Sequence, residues 1–130
     1  MDRARRAADL LRGNLTEDQW QAAREGQHIR VTGQYSKATY LISETGIVWV
    51  ASEKAGHRVV RLCVSLGGYP LDDNRLAFAL YAAHDERRLL KTAGFYPECY
   101  CKSCTRVLMK LKAIGAAGPI GLRLYRYPFW

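Results

Sequence analysis

The residues with the most distinctive chemistry are three cysteines within six positions, Cys99, Cys101 and Cys104. They form one C-x-C pair and one C-x2-C pair. Thiolates at this spacing on a turn can converge on one tetrahedral ion at sulfur-to-metal distances of about 2.3 Å, and zinc is the commonest ion in such structural sites. Cys101 and Cys104 also lead into a predicted helix, whose N-terminal end stabilises anionic thiolates, as in a zinc-knuckle turn. The spacing therefore predicts a structural zinc site.

The fourth ligand of this site is not defined by a motif. Cys63, His84 and His57 are candidates, but none lies at motif spacing from the cluster, so the fold or another subunit must supply the ligand. Cys63 would complete a set of four thiolates, which an iron–sulfur cluster would also need. A thiol redox or disulfide role and unliganded structural thiols are the alternatives that the pattern leaves open.

The cysteines open a C-terminal segment whose charge has one sign. The chain has 130 residues and a net charge of +8. Between Cys99 and Trp130 there is no Asp or Glu, whereas the rest of the chain carries 14 basic and 12 acidic residues. A segment of this kind attracts phosphate backbones or acidic protein surfaces, although runs of charge are often only solvated faces. The basic residues of the segment are Lys102, Arg106, Lys110, Lys112, Arg123 and Arg126.

Aromatic side chains lie among the cations near the end of this segment. Tyr127 and Trp130 are close to Arg123 and Arg126, a mixture that suits nucleic acid because cations contact phosphates and rings stack on unpaired bases. The same residue types anchor protein interfaces, and packing of the aromatics into the core as an edge strand is the structural alternative. The predicted binding residues are Lys102, Arg106, Lys110, Arg123, Arg126, Tyr127 and Trp130.

Enzyme signatures are missing from the sequence. The histidines His28, His57 and His84 accompany no nucleophile motif, phosphate loop or metallohydrolase pattern. His84 beside Asp85 and Glu86 is typical of a solvated helix face. We therefore expect a non-catalytic protein that engages nucleic acid, or a nucleic-acid-processing complex, through its C-terminal face. The alternatives are a phage or bacterial accessory module that binds or inhibits an acidic host protein surface and, third, a thiol redox protein.

Hydrophobic periodicity predicts the elements that position these residues. One long helix would cover an antiparallel sheet of three to four strands, preceded by two short helices. The Cys-led basic helix, which Gly115 and Gly118-Pro119 would end, and a final strand would follow. This arrangement is an α+β fold. The predicted elements are helices at 3–11 and 17–24, strands at 29–31, 39–42, 47–50 and 58–64, helices at 74–91 and 105–114, and a strand at 122–127.

Length and composition fit one domain with a small addition. Gly94 and Pro97 interrupt the pattern where the composition changes, which divides the chain into an α+β body at 1–95 and a basic appendage at 96–130. No apolar run reaches the roughly 18 residues that a membrane helix needs, and the N-terminus has no signal-peptide core. Disulfides among the clustered cysteines would close only tiny loops. We expect reduced thiols and a cytoplasmic protein.

Several structural motifs occur in a fixed order between Leu11 and Ala93. They are Asn14-Leu15-Thr16-Glu17-Asp18-Gln19-Trp20, then Arg61-Leu62-Cys63-Val64, a Pro70-Leu71-Asp72-Asp73 turn, and an Ala-rich helix that closes with Asp85-Glu86. This order resembles a small uncharacterised domain of actinobacteria and their phages. The resemblance implies a bacterial or phage origin and a buried core position for Cys63. It implies no activity and no functional residue.

Overall fold

The described part of the chain contains five helices and one antiparallel sheet, which make an α+β fold. In a computed structural model, residues 3–52, 57–64 and 71–116 are described. Each strand pairs with the next along the chain, in the order β1-β2-β3-β4-β5. The helices are α1 (Arg3–Asn14), α2 (Glu17–Arg24), α3 (Leu71–His84), α4 (Glu86–Thr92) and α5 (Lys102–Ala116). The strands are β1 (Ile29–Thr32), β2 (Thr39–Ile42), β3 (Val48–Ser52), β4 (His57–Cys63) and β5 (Gly94–Pro97).

The sheet buries one face against the helices. Side chains in a strand point alternately to the two faces, and β1 shows this directly, with Ile29 and Val31 buried and Arg30 and Thr32 exposed. The buried side chains of the strands form a single core with those of α3, α4 and α5. None of the described helices is long and apolar enough to cross a membrane. The helical part of the core comprises Leu76, Phe78, Ala79, Ala82, Leu89, Leu90, Cys104, Leu111 and Ile114.

The capping box predicted at the start of the second helix is confirmed. The Gln19 N–H donates to the Thr16 hydroxyl at 3.2 Å, and the Thr16 N–H donates to the Gln19 side chain at 3.0 Å. The amide of Gln19 also donates to the carbonyl of Arg30 at 2.8 Å. One residue thus begins α2 and ties it to β1.

The described sheet has five strands, more than the three to four that the sequence predicts. Gly94–Pro97, which we expected to be a boundary between two parts of the chain, forms β5 and pairs with β4. A four-residue strand with glycine and proline at its ends has too little pattern to be recognised in the sequence. Phe95 packs against the core, and Pro97 stands at the strand end, where a missing N–H is tolerated.

The single long helix predicted at 74–91 is two helices. α3 ends at His84, Asp85 leaves helical geometry with φ −149°, and α4 begins at Glu86. The loop between β1 and β2 lies at this break, because the Gln34 N–H donates to the Ala82 carbonyl at 2.9 Å. The Gln34 side chain in turn accepts from the Glu86 N–H at 3.2 Å. Gln34 therefore pairs with both groups that would form the hydrogen bond from the Glu86 N–H to the Ala82 carbonyl in a continuous helix.

The sequence predicts a solvated helix face at His84, Asp85 and Glu86, but Glu86 does not belong to such a face. Its side chain is fully buried. One carboxylate oxygen accepts from the backbone N–H groups of Tyr35 at 2.7 Å and Ser36 at 2.9 Å. The other accepts from the hydroxyls of Ser36 at 2.5 Å and Tyr40 at 2.6 Å. Glu86 is thus the anchor of α4 on the β1–β2 loop.

The Cys-led helix extends past Gly115, the first of the residues expected to end it. α5 runs to Ala116, and Gly115 is buried within it. A Cβ on Gly115 would lie 2.8 Å from the backbone carbonyl atoms of Leu90, so the missing side chain is what lets α5 approach α4. The division into 1–95 and 96–130 stays a prediction, and the strand predicted at 122–127 lies outside the described residues.

The close contact of Gly115 with α4 predicts that Gly115→Ala lowers the free energy of unfolding by about 1–3 kcal/mol, because the added methyl group forces the two helices apart. Gly13→Ala is the matched control, since no atom lies within 4 Å of its added Cβ and alanine favours a helix by up to about 1 kcal/mol. Urea unfolding measures both. Equal effects of the two substitutions would contradict the packing argument.

The burial of Tyr40 predicts a loss of stability in alkaline solution. Desolvation and the Glu86 carboxylate raise the pKa of Tyr40 well above 10.0. The unfolded chain releases this proton near pH 10 and the folded chain retains it, so this contribution is complete below about pH 10 and falls as the pH rises further. Tyr40→Phe should flatten the dependence of the unfolding free energy on pH above 10. A Tyr40→Phe variant whose unfolding free energy falls above pH 10 as steeply as that of the unaltered protein would contradict this prediction.

Candidate metal centre and basic cleft

The three clustered cysteines lie where β5 passes into α5. The Glu98 N–H donates to the Val59 carbonyl at 2.9 Å, which continues the pairing of β5 with β4 by one residue. The chain then turns through Cys99 to Cys101, and α5 begins at Lys102. A strand and a helix of the core therefore hold the two ends of the cysteine segment.

The structure brings the three thiols together. The sulfur atoms of Cys99, Cys101 and Cys104 all lie within 4.8 Å of one another. Sulfur atoms bound to one tetrahedral zinc at about 2.3 Å are separated by about 3.8 Å, so small side-chain rotations would bring these three to a shared ion. Cys104 is buried, Cys99 is partly buried and Cys101 is exposed. The three residues form a possible metal site that opens to solvent on one side.

Backbone N–H groups stabilise negative charge on the cluster. The Cys101 N–H contacts the sulfur of Cys99 at 3.5 Å, and the Cys104 N–H contacts that of Cys101 at 3.4 Å. The backbone hydrogen bond from Cys104, followed by the neighbouring thiols, lowers the pKa of Cys101. Burial, followed by the nearby thiols of Cys101 and Cys99, raises the pKa of Cys104 to about 12. A metal ion would therefore have to displace a proton from Cys104 to bind all three sulfurs.

Cys63 does not join the cluster. It is the last residue of β4, pairs with Gly94 at the far end of β5, and is exposed. Cys99 comes five residues after Gly94, which is roughly 16–17 Å along an extended chain. The structure thus contradicts both the assignment of Cys63 as the fourth thiolate and its expected burial, because the antiparallel register places it at the opposite end of the strand pair. The four-thiolate iron–sulfur site that needed Cys63 is not assembled.

The other two candidates for a fourth ligand, His84 and His57, do not complete the site among the described side chains. His84 is exposed at the end of α3 and is not part of the cluster. His57 is the first residue of β4, where its backbone pairs with Ser52, and its side chain lies outside the described part. Among the described side chains, no further Cys, His, Asp or Glu shares the site with the three thiols.

Three of the predicted binding residues, Lys102, Arg106 and Lys110, lie on α5 at a spacing of four, and two of them are exposed whereas the third binds the protein itself. Lys102 and Arg106 are exposed on α5. Lys110 is partly buried, and its ammonium donates to the Ser36 carbonyl at 2.9 Å. Burial lowers the pKa of Lys110, and the charge of Glu86 acts in the opposite direction. The other predicted binding residues, Arg123, Arg126, Tyr127 and Trp130, lie outside the described residues.

A cleft of about 340 Å³ lies between the first half of α5 and the ends of β2 and β3. Three cations and four hydroxyl side chains line it, and none of the described lining residues is acidic. Sequence reasoning identified Arg106 and Lys110 but missed the lining residues of the loop and strands. Only the left-handed backbone of Lys37, with φ 58°, marks that loop as unusual, and the sequence carries no sign of it. The lining residues are Ser36, Lys37, Ala38, Thr39, Ala51, Ser52, Ser103, Arg106, Val107 and Lys110.

Comparisons with protein-family models, curated proteins and solved structures found no match to the chain.

The convergence of the three sulfurs predicts that the reduced protein binds one cobalt(II) ion with the absorbance of tetrahedral thiolate coordination. Cys104→Ser should weaken binding by more than the 10- to 100-fold loss typical of outer-shell changes, because it removes a ligand. The affinity for cobalt should decrease as the pH is lowered, because the thiol ligands must lose their protons to bind the metal. Cys63→Ser is the matched control and should bind as the unaltered protein does. Cobalt absorbance that depends on Cys63, or that survives loss of Cys104, would exclude this site.

Proposed function

We propose that this protein is a non-catalytic binding protein that engages nucleic acid through the N-terminal half of α5. The observation that carries the proposal is the cleft beside this helix, where Lys37, Arg106 and Lys110 come together with hydroxyl side chains and without a carboxylate among the described lining residues. Most protein contacts with nucleic acid are made to phosphate oxygens by cations and hydroxyls of this kind. The cleft therefore has the chemistry of a phosphate-contacting surface.

The distribution of charge on α5 supports the same function. The described helix carries Lys102, Arg106, Lys110 and Lys112 and no acidic residue. Lys102 and Arg106 are exposed and lie one turn apart, so two phosphates could be contacted from one side of the helix. Lys110 contributes mainly to the potential of the cleft, because its ammonium already binds Ser36.

Zinc at the cysteine cluster would serve this surface as a structural clamp. Cys101 and Cys104 flank Ser103, which lines the cleft, and Arg106 follows within the next turn. An ion bound to the three thiolates would fix the start of α5 to the end of β5 and keep these side chains in place. Three sulfur ligands favour zinc among the common structural ions. A water molecule, His57 or a partner chain would supply the fourth ligand.

A protein-interaction module that binds an acidic host surface is the second candidate. Tyr100 and Met109, near the same basic residues, are 82% and 57% exposed, and exposed aromatic and methionine side chains are enriched in protein interfaces. The salt dependence of binding distinguishes the two functions. Each phosphate contact would add about −0.9 to the slope of a plot of log K against log salt concentration for duplex DNA, whereas an interface anchored by apolar side chains would be much less sensitive.

The nucleic-acid proposal predicts that the protein retards short DNA or RNA in a mobility-shift assay at low salt, and that Arg106→Glu weakens binding about 10-fold or more through loss of a phosphate contact and local repulsion. Arg24→Glu is the matched control, because it makes the same change of charge on exposed α2 and should alter affinity much less. An unaltered protein that shifts neither DNA nor RNA rules out the proposal. Equal losses of affinity in Arg106→Glu and Arg24→Glu would contradict a specific site at α5 and indicate non-specific charge attraction.

A further inference from the structure

The face of the sheet opposite the core carries a row of side chains that crosses all five strands. The register places Arg30 opposite Leu41, Leu41 opposite Trp49, Trp49 opposite Arg61, and Arg61 opposite Tyr96. The strand residues on either side of these positions are largely buried, which directs the row away from the core. Cations and aromatic rings are therefore side by side on the outer face of the sheet.

Cation–π contacts hold the rings and guanidinium groups of this outer face in place. The Arg58 guanidinium lies 4.0 Å from the centre of the Trp49 ring, and that of Arg61 lies 5.1 Å from the centre of the Tyr96 ring. The indole N–H of Trp49 donates to the Glu98 carboxylate at 2.9 Å. These contacts lower the entropy that the side chains would lose on binding a ligand.

The outer face is accessible and positive within the described part of the chain. Tyr96 is 51% exposed, and Arg30, Arg58 and Arg61 are exposed. The carboxylate that contacts the row, Glu98, binds the Trp49 indole. The helical side chains of the core cluster pack with the buried strand residues on the other face. An anionic partner with flat, apolar groups would match this surface.

We propose that the outer face of the sheet binds unpaired bases of single-stranded nucleic acid. Bases stack on Tyr96 and on the planar Arg58–Trp49 pair, and Arg30 and Arg61 contact the phosphates. Aromatic rings and guanidinium planes stack on bases only when those bases are unpaired. This inference rests on the proposed nucleic-acid function and adds to it the strandedness of the ligand and a second contact surface.

The size of the surface suits a few nucleotides. The row covers four inter-strand spacings of about 4.8 Å, roughly 19 Å in total, and exposed sheets that bind RNA in this way stack two or three bases. A recess of about 360 Å³ adjoins Tyr96 and Arg61 at the end of the row and is lined also by Ile47 and Cys63. This recess offers a largely apolar site to the edge of a stacked base.

The test is fluorescence anisotropy of the full chain with a labelled oligothymidine and with a duplex of the same length. Tyr96→Ala should weaken single-strand binding about 5- to 150-fold, the range typical for the loss of one stacked base, and should leave duplex binding nearly unchanged. Tyr96→Phe should restore single-strand affinity because it keeps the ring. Tyr35→Ala, which removes a partly exposed ring on the β1–β2 loop, is the matched control and should have little effect. Thermal unfolding verifies that each variant is folded.

The outcomes separate the inference from the proposed function. An unaltered protein that binds neither oligonucleotide overturns both. Single-strand binding that is unaffected in folded Tyr96→Ala, or equal losses for single strand and duplex, overturns the inference and leaves the phosphate contacts of α5 in place. If the protein sediments as a dimer and Tyr96→Ala converts it to a monomer, the outer face belongs to a second copy of the chain and the inference is wrong.

Discussion

The buried carboxylate of Glu86 is the interaction on which the arrangement of the neighbouring elements depends. Removing a carboxylate from water costs several kcal/mol unless hydrogen-bond donors replace the solvent. Here the donors are two backbone N–H groups and two hydroxyls, all from the β1–β2 loop and the adjoining strand. Gly33 makes room for them, because a Cβ at that position would collide with the carboxylate and the Ser36 hydroxyl. The requirement for these donors holds α4 against the loop and accounts for the break between α3 and α4.

The same loop connects this buried contact with the surface that we propose for binding. Ser36 donates to Glu86, accepts from Lys110 of α5, and lines the cleft together with Lys37. At its other end α5 is held by the close approach of Gly115 to Leu90. A metal ion at the cysteines would add a third point of attachment, at the start of the helix. The position of the basic cleft thus follows from how α5 is fixed to the body, whereas the outer face of the sheet depends only on strand register.

Features that depend on near neighbours could be predicted from the amino-acid sequence. The capping box needs only Thr16 and Gln19, three residues apart, and it forms as expected. Strand alternation predicted most of β1 to β4 because side chains with a period of two already separate a buried from an exposed face. The convergence of Cys99, Cys101 and Cys104 likewise follows from short spacing on a turn before a helix. These parts of the fold and site were predictable because little distant information enters them.

Features that depend on distant contacts became visible only in the folded chain. Glu86 and Ser36 are 50 positions apart, so no local pattern distinguishes this buried carboxylate from one on a solvated helix face. The pairing of β5 with β4 placed Cys63 far from the other cysteines and brought Tyr96 beside Arg61. Residue type and local spacing show what chemistry each residue can do, but strand register and helix packing determine which residues share a site. That selection is made by contacts that form only when the whole core is assembled.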